Sequence, residues 1–324
     1  MARQIQFQQT GGPDVLELVD TEIRDPGPGE VRVTNHAIGV NFIDIYFRTG
    51  LYPADLPSAM GTEGAGVIDA VGDGVEEFAV GDRVAYVLGP KGAYADAITL
   101  SADHVVALPE AIDFETAAAS LLKGLTVQYL LRQTYAIAKD DTILFHAAAG
   151  GVGTIACQWA RALGAHVIGT VSSDEKADIA KANGAWMTID YTRESVPERV
   201  MELTDGAGVP VVYDSVGRDT WHDSLKCLRK RGLMVSFGNA SGPVEGVNLV
   251  ELNRGGSLFV TRPSLGGYAD TPERFEMMCA DLFAVLESGD VKVHIGQRYD
   301  LADAGDAQQA IADRKTTGST ILLP

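Results

Sequence analysis

The amino-acid sequence predicts an α/β protein with two domains, one of them β-rich and the other built on a doubly wound parallel sheet. Up to about residue 120, short alternating segments are cut by turn signals such as residues 25–29 (DPGPG) and 72–74 (GDG), a pattern typical of an all-β domain. From Lys123 onward, strands alternate with helices, which indicates a parallel sheet covered by helices. With 324 residues, 46% of them hydrophobic, the chain can bury the cores of two domains.

The composition argues against several classes of function. The 26 basic and 44 acidic residues give a net charge of −18, which repels nucleic-acid backbones and anionic membrane surfaces. Residues 1–10 lack the apolar core of a signal peptide, and no apolar run approaches the roughly 18 residues of a membrane span. Cys157, Cys227 and Cys279 lie too far apart to indicate a disulfide framework or a cysteine metal site. We therefore expect a cytoplasmic protein that binds neither nucleic acid nor membranes.

The first domain is predicted to contain mainly strands and few helices. Apolar alternation predicts strands at 31–33 and 84–87, and helical spacing predicts helices at 41–48 and 116–122.

The second domain opens with a strand, a glycine turn, a helix and a second strand. Residues 142–146 form a short apolar run, which Gly150, Gly151 and Gly153 interrupt. The apolar residues that follow recur at spacings of three or four, so one face of the predicted helix would pack on a sheet, and Gly164 would end this helix. These apolar residues are Val152, Ile155, Ala156, Trp159 and Leu163.

The alternation continues through the second domain and beyond it. Further strands are predicted at 167–171, 187–189, 209–214, 233–238 and 258–261, and further helices at 174–182, 194–203, 220–228 and 249–253. After Pro263 the pattern predicts helices at 272–287 and 304–312 and a strand at 320–323. Because these last elements could return to the first domain, we expect one domain of residues 1–122 and 264–324 and another of residues 123–263.

The glycine turn predicts a dinucleotide-binding site. A Cβ atom in such a turn would hold the backbone away from a pyrophosphate, and the N-terminus of the next helix offers unpaired N–H groups and a positive dipole end. The pattern AAAGGVG is not the common G-x-G-x-x-G, but the flanking strand and helix supply the context that this fingerprint needs. The alternative is a tight turn in an unrelated α/β protein.

The end of the second strand favours NADPH over NADH. An acidic side chain at this point would bind the ribose 2′-hydroxyl of NADH, but the strand ends in Ser172 and Ser173, and Lys176 follows. A 2′-phosphate would be repelled by a carboxylate and received by hydroxyls and an ammonium group. Asp174 and Glu175 oppose this interpretation, but Ser172 and Glu175 fit a capping box that starts the next helix.

Six segments together form a pattern more specific than any glycine triplet: residues 41–44 (NFID), 61–67 (GTEGAGV), 122–126 (LKGLT), 147–153 (AAAGGVG), 212–217 (VYDSVG) and 232–238 (GLMVSFG). In these, the chain resembles from end to end the zinc-independent quinone oxidoreductases of the medium-chain dehydrogenase/reductase superfamily, which include zeta-crystallin. Residues 262–265 (RPSL) and 317–319 (TGS) make it most similar to the bacterial NADPH:quinone reductases.

The resemblance implies a GroES-like β-barrel catalytic domain and a Rossmann domain, with the active site in the cleft between them. Zinc-dependent relatives have a cysteine at the position of Asn41 and a histidine at that of Thr62, so we expect no metal site. Alcohol oxidation benefits from zinc as a Lewis acid, whereas a quinone is electron-poor and accepts hydride without it. The resemblance therefore implies direct hydride transfer from NADPH to a quinone.

By resemblance, Asn41, Tyr46 and Thr126 are expected to surround the reacting groups. Their structural alternatives are that Asn41 and Asp44 cap a helix, that Tyr46 is a surface residue and that Thr126 bonds within its own helix. Glu63 is expected to hold a turn through hydrogen bonds, and His36, His104, His146 and His166 are expected to bind no metal. The residues expected to contact NADPH are Gly150, Gly151, Val152, Ser172, Ser173, Lys176, Tyr191, Phe237, Gly238, Asn239, Thr261 and Arg314.

Two other functions stay open at this point. Reduction of an activated C=C bond in an enal or enone has the same electron demand and needs the same metal-free site. A structural or RNA-binding role, which some zeta-crystallin relatives have, is disfavoured by the net charge and the intact glycine turn. We also expect a homodimer that pairs through the sheet edge at 257–261, since an exposed apolar edge strand is a pairing template.

Overall fold

The computed structural model describes the whole chain, Met1–Pro324, which groups into two compact units. The domain boundaries predicted from the sequence, residues 1–122 with 264–324 for one domain and 123–263 for the other, remain a prediction. The first unit consists of Met1–Leu125, Ala269–Glu287 and Val293–Pro324, and the second of Thr126–Tyr268 and Ser288–Lys292.

The first unit contains two β-sheets. Its strands are β1 (Ala2–Phe7), β2 (Leu16–Thr21), β3 (Glu30–Val40), β4 (Ser58–Ala59), β5 (Glu63–Val71), β6 (Arg83–Val87), β7 (Ala97–Ser101) and β8 (Val105–Ala107). The second unit contributes β9 (Thr142–Phe145), β10 (His166–Val171), β11 (Met187–Asp190), β12 (Val209–Asp214), β13 (Leu228–Ser236) and β14 (Phe259–Thr261). The C-terminal strands β15 (Ile295–Asp300) and β16 (Ser319–Leu323) belong to the first unit.

Nine α-helices connect or cover these strands. They are α1 (Phe42–Thr49), α2 (Phe114–Tyr129), α3 (Gly151–Ala162), α4 (Asp174–Ala182), α5 (Val196–Leu203), α6 (Trp221–Cys227), α7 (Leu249–Arg254), α8 (Pro272–Glu287) and α9 (Ala304–Ala312). The bounds of α4, α8 and α9 are those predicted from the sequence. No helix is long and apolar enough to cross a membrane.

The two sheets of the first unit confirm its predicted β-rich character. The smaller sheet has the strand order β2-β1-β4, and the larger one the order β15-β16-β3-β5-β6-β8, with β7 also paired to β3. Alternate residues point into the core, as with Ile5 and Phe7 on β1 and Val31 and Val33 on β3, all at most 2% exposed. The sequence did not predict β15, because its side chains alternate between half-buried and exposed and its core face is weakly apolar.

The second unit is a six-stranded parallel sheet with the order β11-β10-β9-β12-β13-β14, as the alternation predicted. Every residue of β12 is buried, and its apolar residues 209–213 (VPVVY) suit a strand in the middle of the sheet. The strand order reverses between β9 and β12, and ligands of such sheets bind outside the carboxyl ends of the strands at this point.

The predicted packing face of α3 is confirmed in its central part. Ile155, Ala156 and Trp159 are at most 2% exposed, whereas Val152 is only half-buried near the start of the helix. Gly164, with φ of +82°, lies just after the helix, as expected for the residue that ends it.

Candidate active site

The glycine turn lies between the end of β9 and the start of α3, at the carboxyl edge of the parallel sheet. Gly150 is the N-cap residue, and the first intrahelical bond runs from Thr154 N–H to the Gly150 carbonyl, at 2.9 Å. The N–H groups of Gly151, Val152 and Gly153 precede this bond, so the helix itself does not use them. Together with the helix dipole, they form the kind of site that binds a phosphate.

Backbone atoms crowd this turn so closely that it requires glycine. A Cβ atom on Gly153 would lie 2.4 Å from the Ala147 carbonyl oxygen and 2.7 Å from backbone atoms of Ala148. A Cβ atom on Gly150 would lie 3.3 Å from the same Ala147 oxygen, a tight contact. Both glycines are therefore needed for the backbone to turn this tightly before α3.

The end of β10 carries the two serines that the sequence placed near a 2′-phosphate. Both are half-buried. The predicted capping box of Ser172 and Glu175 is wrong, because Ser173 is the N-cap of α4 and its hydroxyl accepts the N–H of Lys176 at 3.3 Å. The cap is one residue later because β10 continues through Val171 and its chain turns only after Ser172.

Two acidic side chains near this strand end, Asp174 and Asp190, are paired with one arginine. Arg193 donates through Nε to Asp190 at 2.8 Å and also forms an ion pair with Asp174. The hydroxyl and N–H of Thr192, together with Arg193, hold the pKa of Asp190 below its usual range. Arg193 was not among the residues predicted from the sequence, although its position three residues after Asp190 is the available signal. Asp174 thus offers less repulsion to a phosphate than its sequence position suggested.

Asp190 is followed directly by Tyr191, one of the residues expected to contact the coenzyme. Its side chain is 43% exposed, so its ring and hydroxyl are accessible at the carboxyl end of β11.

The segment after β13 carries three more predicted coenzyme residues, and Arg262 holds it in place. Arg262 Nη1 donates to the carbonyls of Ser236 at 2.9 Å and Gly238 at 3.0 Å. Asn239 completes the arrangement. Its amide is oriented so that the nitrogen donates to the Gly238 carbonyl at 2.9 Å and the oxygen accepts from Arg262 Nη2 at 3.0 Å. Arg262 was not predicted to have this role, because its partners lie more than 20 residues away in the sequence.

Gly238 and Phe237 are fixed by the neighbouring strands. A Cβ atom on Gly238 would lie 2.3 Å from the Ser215 carbonyl oxygen, so glycine is required where the segment passes the end of β12. The Phe237 ring packs against Phe145, with ring centroids 5.8 Å apart. Thr261 ends β14 and pairs in register with Val235.

In the first unit, Asn41 and Asp44 do cap α1, as the structural alternative proposed. The Asp44 carboxylate accepts the Asn41 N–H at 2.9 Å and the Tyr94 hydroxyl at 2.9 Å. The Asn41 side chain donates to Glu63 Oε2 at 2.7 Å, so its amide is held in one orientation. Burial raises the pKa of Asp44 to about 7, because desolvation outweighs its hydrogen bonds.

Glu63 makes hydrogen bonds, as predicted, but they join the N-cap of α1 to α2 and do not hold a turn. Its Oε1 accepts the Leu122 N–H at 2.6 Å on α2, and Lys123 Nζ lies 3.7 Å from Oε2. Burial raises the pKa of Glu63, and the Lys123 ammonium opposes that shift. In the chain, no group of three or more His, Cys, Asp or Glu side chains could hold a metal ion.

The other predicted site residues lie in different parts of the fold. The surface alternative for Tyr46 is wrong, since its side chain is 8% exposed and packs edge-on against Tyr52 with ring centroids 5.2 Å apart. Thr126 is half-buried on α2 and is the first residue of the second unit. Arg314 is exposed just after α9 in the first unit, where its φ is +59°.

The sheet of the second unit therefore gathers most of the predicted coenzyme residues at one edge. They come from the carboxyl ends of its strands: Gly150, Gly151 and Val152 after β9, Ser172 and Ser173 after β10, Tyr191 after β11, Phe237, Gly238 and Asn239 after β13, and Thr261 at the end of β14.

Comparison with known proteins places the chain in a family. Residues 27–110 match the alcohol dehydrogenase GroES-like domain, and residues 151–278 match the zinc-binding dehydrogenase family. A quinone oxidoreductase of Pseudomonas aeruginosa is 61% identical over 325 residues, which covers 100% of both chains. The chain belongs to the quinone oxidoreductase family. This membership confirms the predicted GroES-like and Rossmann-like fold within the medium-chain dehydrogenase/reductase superfamily.

Two further members of this superfamily bear on the site. The crystal structure of an Escherichia coli quinone oxidoreductase complexed with NADPH has a TM-score of 0.98 to this chain, with 54% identity and coverage of 99% of this chain and 100% of that one. A 2-haloacrylate reductase of Burkholderia is 42% identical over 325 residues, covering 98% of each chain.

Proposed function

We propose that this protein is an NADPH-dependent quinone reductase. The observation that carries the proposal is the glycine turn before α3, together with the neighbouring end of β10, which presents two serines and whose nearby Asp174 is paired with Arg193. The full-length similarity to quinone oxidoreductases, one of them solved with NADPH, supports the same function. When bound, NADPH supplies the hydride, and the quinone takes up this hydride and one proton to become a hydroquinone.

The residues of the second unit are proposed to bind and select the coenzyme. The first turn of α3 would hold the pyrophosphate, and Ser172, Ser173, Lys176 and Tyr191 would receive the 2′-phosphate through hydroxyl and ammonium donors. Arg314 is proposed as a further cation for the same phosphate. The remaining proposed contacts are Gly150, Gly151, Val152, Phe237, Gly238, Asn239 and Thr261.

The residues proposed to orient the quinone are Asn41, Tyr46 and Thr126. The hydrogen bond from Asn41 to Glu63 fixes its amide, and the packing of Tyr46 on Tyr52 fixes its ring, so both side chains are held ready before a substrate arrives. None of them is proposed as an obligatory acid, because a hydroquinone anion is a weak base that can take its proton from water. Tyr46→Phe should accordingly slow turnover only modestly.

We propose that the protein is a homodimer that pairs through β14. This strand is at the edge of the six-stranded sheet and is paired only with β13. Phe259 is 60% exposed and Val260 is 39% exposed on it, which makes an apolar pairing edge that a second copy would cover. We also propose a cytoplasmic location, where the three buried free cysteines would stay reduced.

Reduction of an activated C=C bond is the second candidate function. The similarity to a 2-haloacrylate reductase favours it, since a haloacrylate is an alkene activated by a carboxylate. Like a quinone, such an alkene accepts hydride at an electron-poor carbon and a proton at the next atom.

The deciding experiment is a steady-state screen of benzoquinones, naphthoquinones, enals, enones, 2-haloacrylates and alcohols with NADPH or NADP⁺, compared by kcat/KM. Quinones are expected to give the highest values and alcohols none, and enzyme treated with a chelator should keep its rate. If an alkene exceeds every quinone by tenfold or more, which corresponds to about 1.4 kcal/mol of transition-state preference, the second function replaces the first.

A further inference from the structure

A chain of buried hydrogen bonds lies against the glycine turn. His146 follows β9 directly and is 2% exposed. Its Nδ1 lies 3.0 Å from the hydroxyl of Thr170 on β10, and its Nε2 lies 2.9 Å from the hydroxyl of Ser224 on α6. Both hydroxyl residues are at most 1% exposed, so no bulk water competes for these bonds. The proposed function uses none of these three side chains.

The direction of each hydrogen bond follows from Asp214, the last residue in this series of hydrogen-bonded side chains. Ser224 donates its only hydroxyl proton to Asp214 Oδ2 at 2.8 Å, because a carboxylate can only accept. The Ser224 oxygen is then left to accept a proton from His146 Nε2. In a neutral ring with Nε2–H, Nδ1 is an acceptor, and it receives the hydroxyl proton of Thr170.

Asp214 is itself firmly fixed at the end of β12. Its Oδ1 accepts the N–H groups of Val216 at 2.8 Å and Gly217 at 3.0 Å, and its Oδ2 accepts the Thr220 hydroxyl at 2.7 Å. The side chain is fully buried. The series of hydrogen bonds therefore ends at an acceptor, Asp214, that cannot rotate freely.

The other end of this series of hydrogen bonds reaches the glycine turn, which is proposed to bind the coenzyme. The Thr170 hydroxyl oxygen accepts the Ala147 N–H at 3.2 Å, and the Thr170 carbonyl accepts the Ala148 N–H at 3.1 Å. Ala147 has φ of +54°, a left-handed conformation that is uncommon for a non-glycine residue and persists only where the surroundings enforce it. Ala147 also supplies the carbonyl that a Cβ on Gly153 would meet, so its conformation sets the shape of the cradle.

We propose that His146 is a positioning residue for coenzyme binding: as the neutral Nε2–H tautomer it connects Asp214 and Ser224 to Thr170, and Thr170 holds Ala147 in the conformation that the phosphate cradle needs. This inference rests on the coenzyme function proposed above. A protonated ring would donate at both nitrogens, and the Thr170 proton would then lose its acceptor. Burial, the largest effect, lowers the pKa of His146 and so favours the neutral ring, whereas the nearby Asp214 and Asp223 oppose that shift.

The first test measures NADPH affinity by fluorescence titration of the full-length protein. Thr170→Val removes the hydroxyl but keeps the side-chain shape, and it should raise the Kd for NADPH about tenfold while kcat at saturating coenzyme stays within about twofold. Thr170→Ser restores a hydroxyl and should bind nearly as the wild type does. Thr204→Val is the matched control, because the Thr204 hydroxyl likewise accepts a backbone N–H, that of Gly208 at 3.0 Å, away from the cradle.

Each outcome of this titration decides between the alternatives. A wild-type Kd in Thr170→Val overturns the inference, as does an equal loss of affinity in Thr204→Val, which would indicate general destabilisation. If the wild-type protein itself fails to bind NADPH, the proposed function fails as well, which distinguishes that result from failure of the inference alone.

The second test reads the tautomer in the coenzyme-free protein. Histidine labelled with ¹⁵N gives side-chain NMR signals that distinguish Nε2–H, Nδ1–H and charged rings, and the chain has only six histidines to assign. The signal missing in His146→Gln identifies the residue. An Nε2–H ring at pH 7 is expected, and an Nδ1–H or charged ring would overturn the inference.

Discussion

At the scale of single residues, the two serines that follow β10 are the basis of the proposed preference for NADPH over NADH. Rossmann domains that bind NADH place a carboxylate there, whereas this chain has Ser172 and Ser173 and pairs its nearby Asp174 with Arg193. The selection would thus depend both on the residues that are present and on the pairing that reduces a nearby negative charge.

The first prediction concerns Lys176 in the first turn of α4. Lys176→Ala should weaken NADPH binding by about 1–2 kcal/mol, because a partly exposed charge-assisted contact to the 2′-phosphate is lost, and NADH binding should change little. Lys181→Ala, at the other end of the same helix, is the control and should leave both affinities unchanged. Calorimetric titration with both coenzymes is the measurement, and an equal loss for NADPH and NADH would refute the assignment.

The second prediction concerns the buried carboxyl group of Asp44. Its folded-state pKa of about 7 exceeds the ordinary value of 3.8, so the folded state binds the extra proton between these values. The contribution of this carboxyl group to the free energy of unfolding is therefore fully present below about pH 4. It is lost as the pH rises towards and through 7, with a slope of up to about 1.4 kcal/mol per pH unit.

Asp44→Asn should remove this dependence. In thermal unfolding measured between pH 4.5 and 8.5, the Tm of the wild type should fall relative to that of the variant as the pH rises. Asp178→Asn, at an exposed position on α4, is the control and should follow the wild type. Parallel curves for wild type and Asp44→Asn would contradict the assignment of the shift to this carboxyl group.

At the scale of elements, the glycine turn and α3 act as one structural unit. The turn is tight because the backbone after β9 returns beneath the first turn of the helix, so Gly153 touches Ala147 and Ala148. The same close approach leaves the first N–H groups of α3 accessible to a phosphate.

The third prediction follows from this close approach. Gly153→Ala should lower the free energy of unfolding by about 2–3 kcal/mol and abolish tight NADPH binding, because the new methyl group meets backbone atoms that cannot move cheaply. Gly266→Ala is the control, since a Cβ there has no neighbour within 4 Å, and it should change stability by less than about 0.5 kcal/mol. Urea unfolding and coenzyme titration are the measurements, and normal stability of Gly153→Ala would exclude the clash.

At the scale of the whole molecule, the main open feature is the uncovered edge of the parallel sheet. An edge strand with a large exposed phenylalanine tends to pair with another strand, and natural proteins cover or charge such edges. Phe259 on β14 is therefore the residue whose exposure argues most directly for assembly with a second copy.

The fourth prediction is that light scattering will give about twice the chain mass of 34.4 kDa for the wild type. Phe259→Lys should shift the protein towards the monomer, because a charge would be buried in the paired edge. Leu18→Lys, which changes an exposed apolar residue on β2 in the other unit, should leave the mass unchanged. A monomeric wild type, or a Phe259→Lys variant that remains dimeric, would contradict pairing through β14.

The sequence by itself determined the parts of this protein that depend on neighbours in the chain. Helical periodicity placed α4, α8 and α9 at their observed bounds, and the buried run of β12 was recognisable because a central parallel strand is apolar on both faces. The glycine turn was also legible, since its conformation is imposed over a few residues. The six motif segments likewise indicated the family, because each is a short run of neighbouring residues.

Only the tertiary structure decided the contacts between residues that lie far apart in sequence. The pairing of Asp174 with Arg193, the hold of Arg262 on the segment after β13 and the chain from His146 through Ser224 to Asp214 all depend on which strands are adjacent. The burial of Tyr46 and the existence of β15 have the same origin, because each is stabilised by partners that local periodicity does not reveal. Strand order brings these side chains together, and that order arises from packing the whole chain.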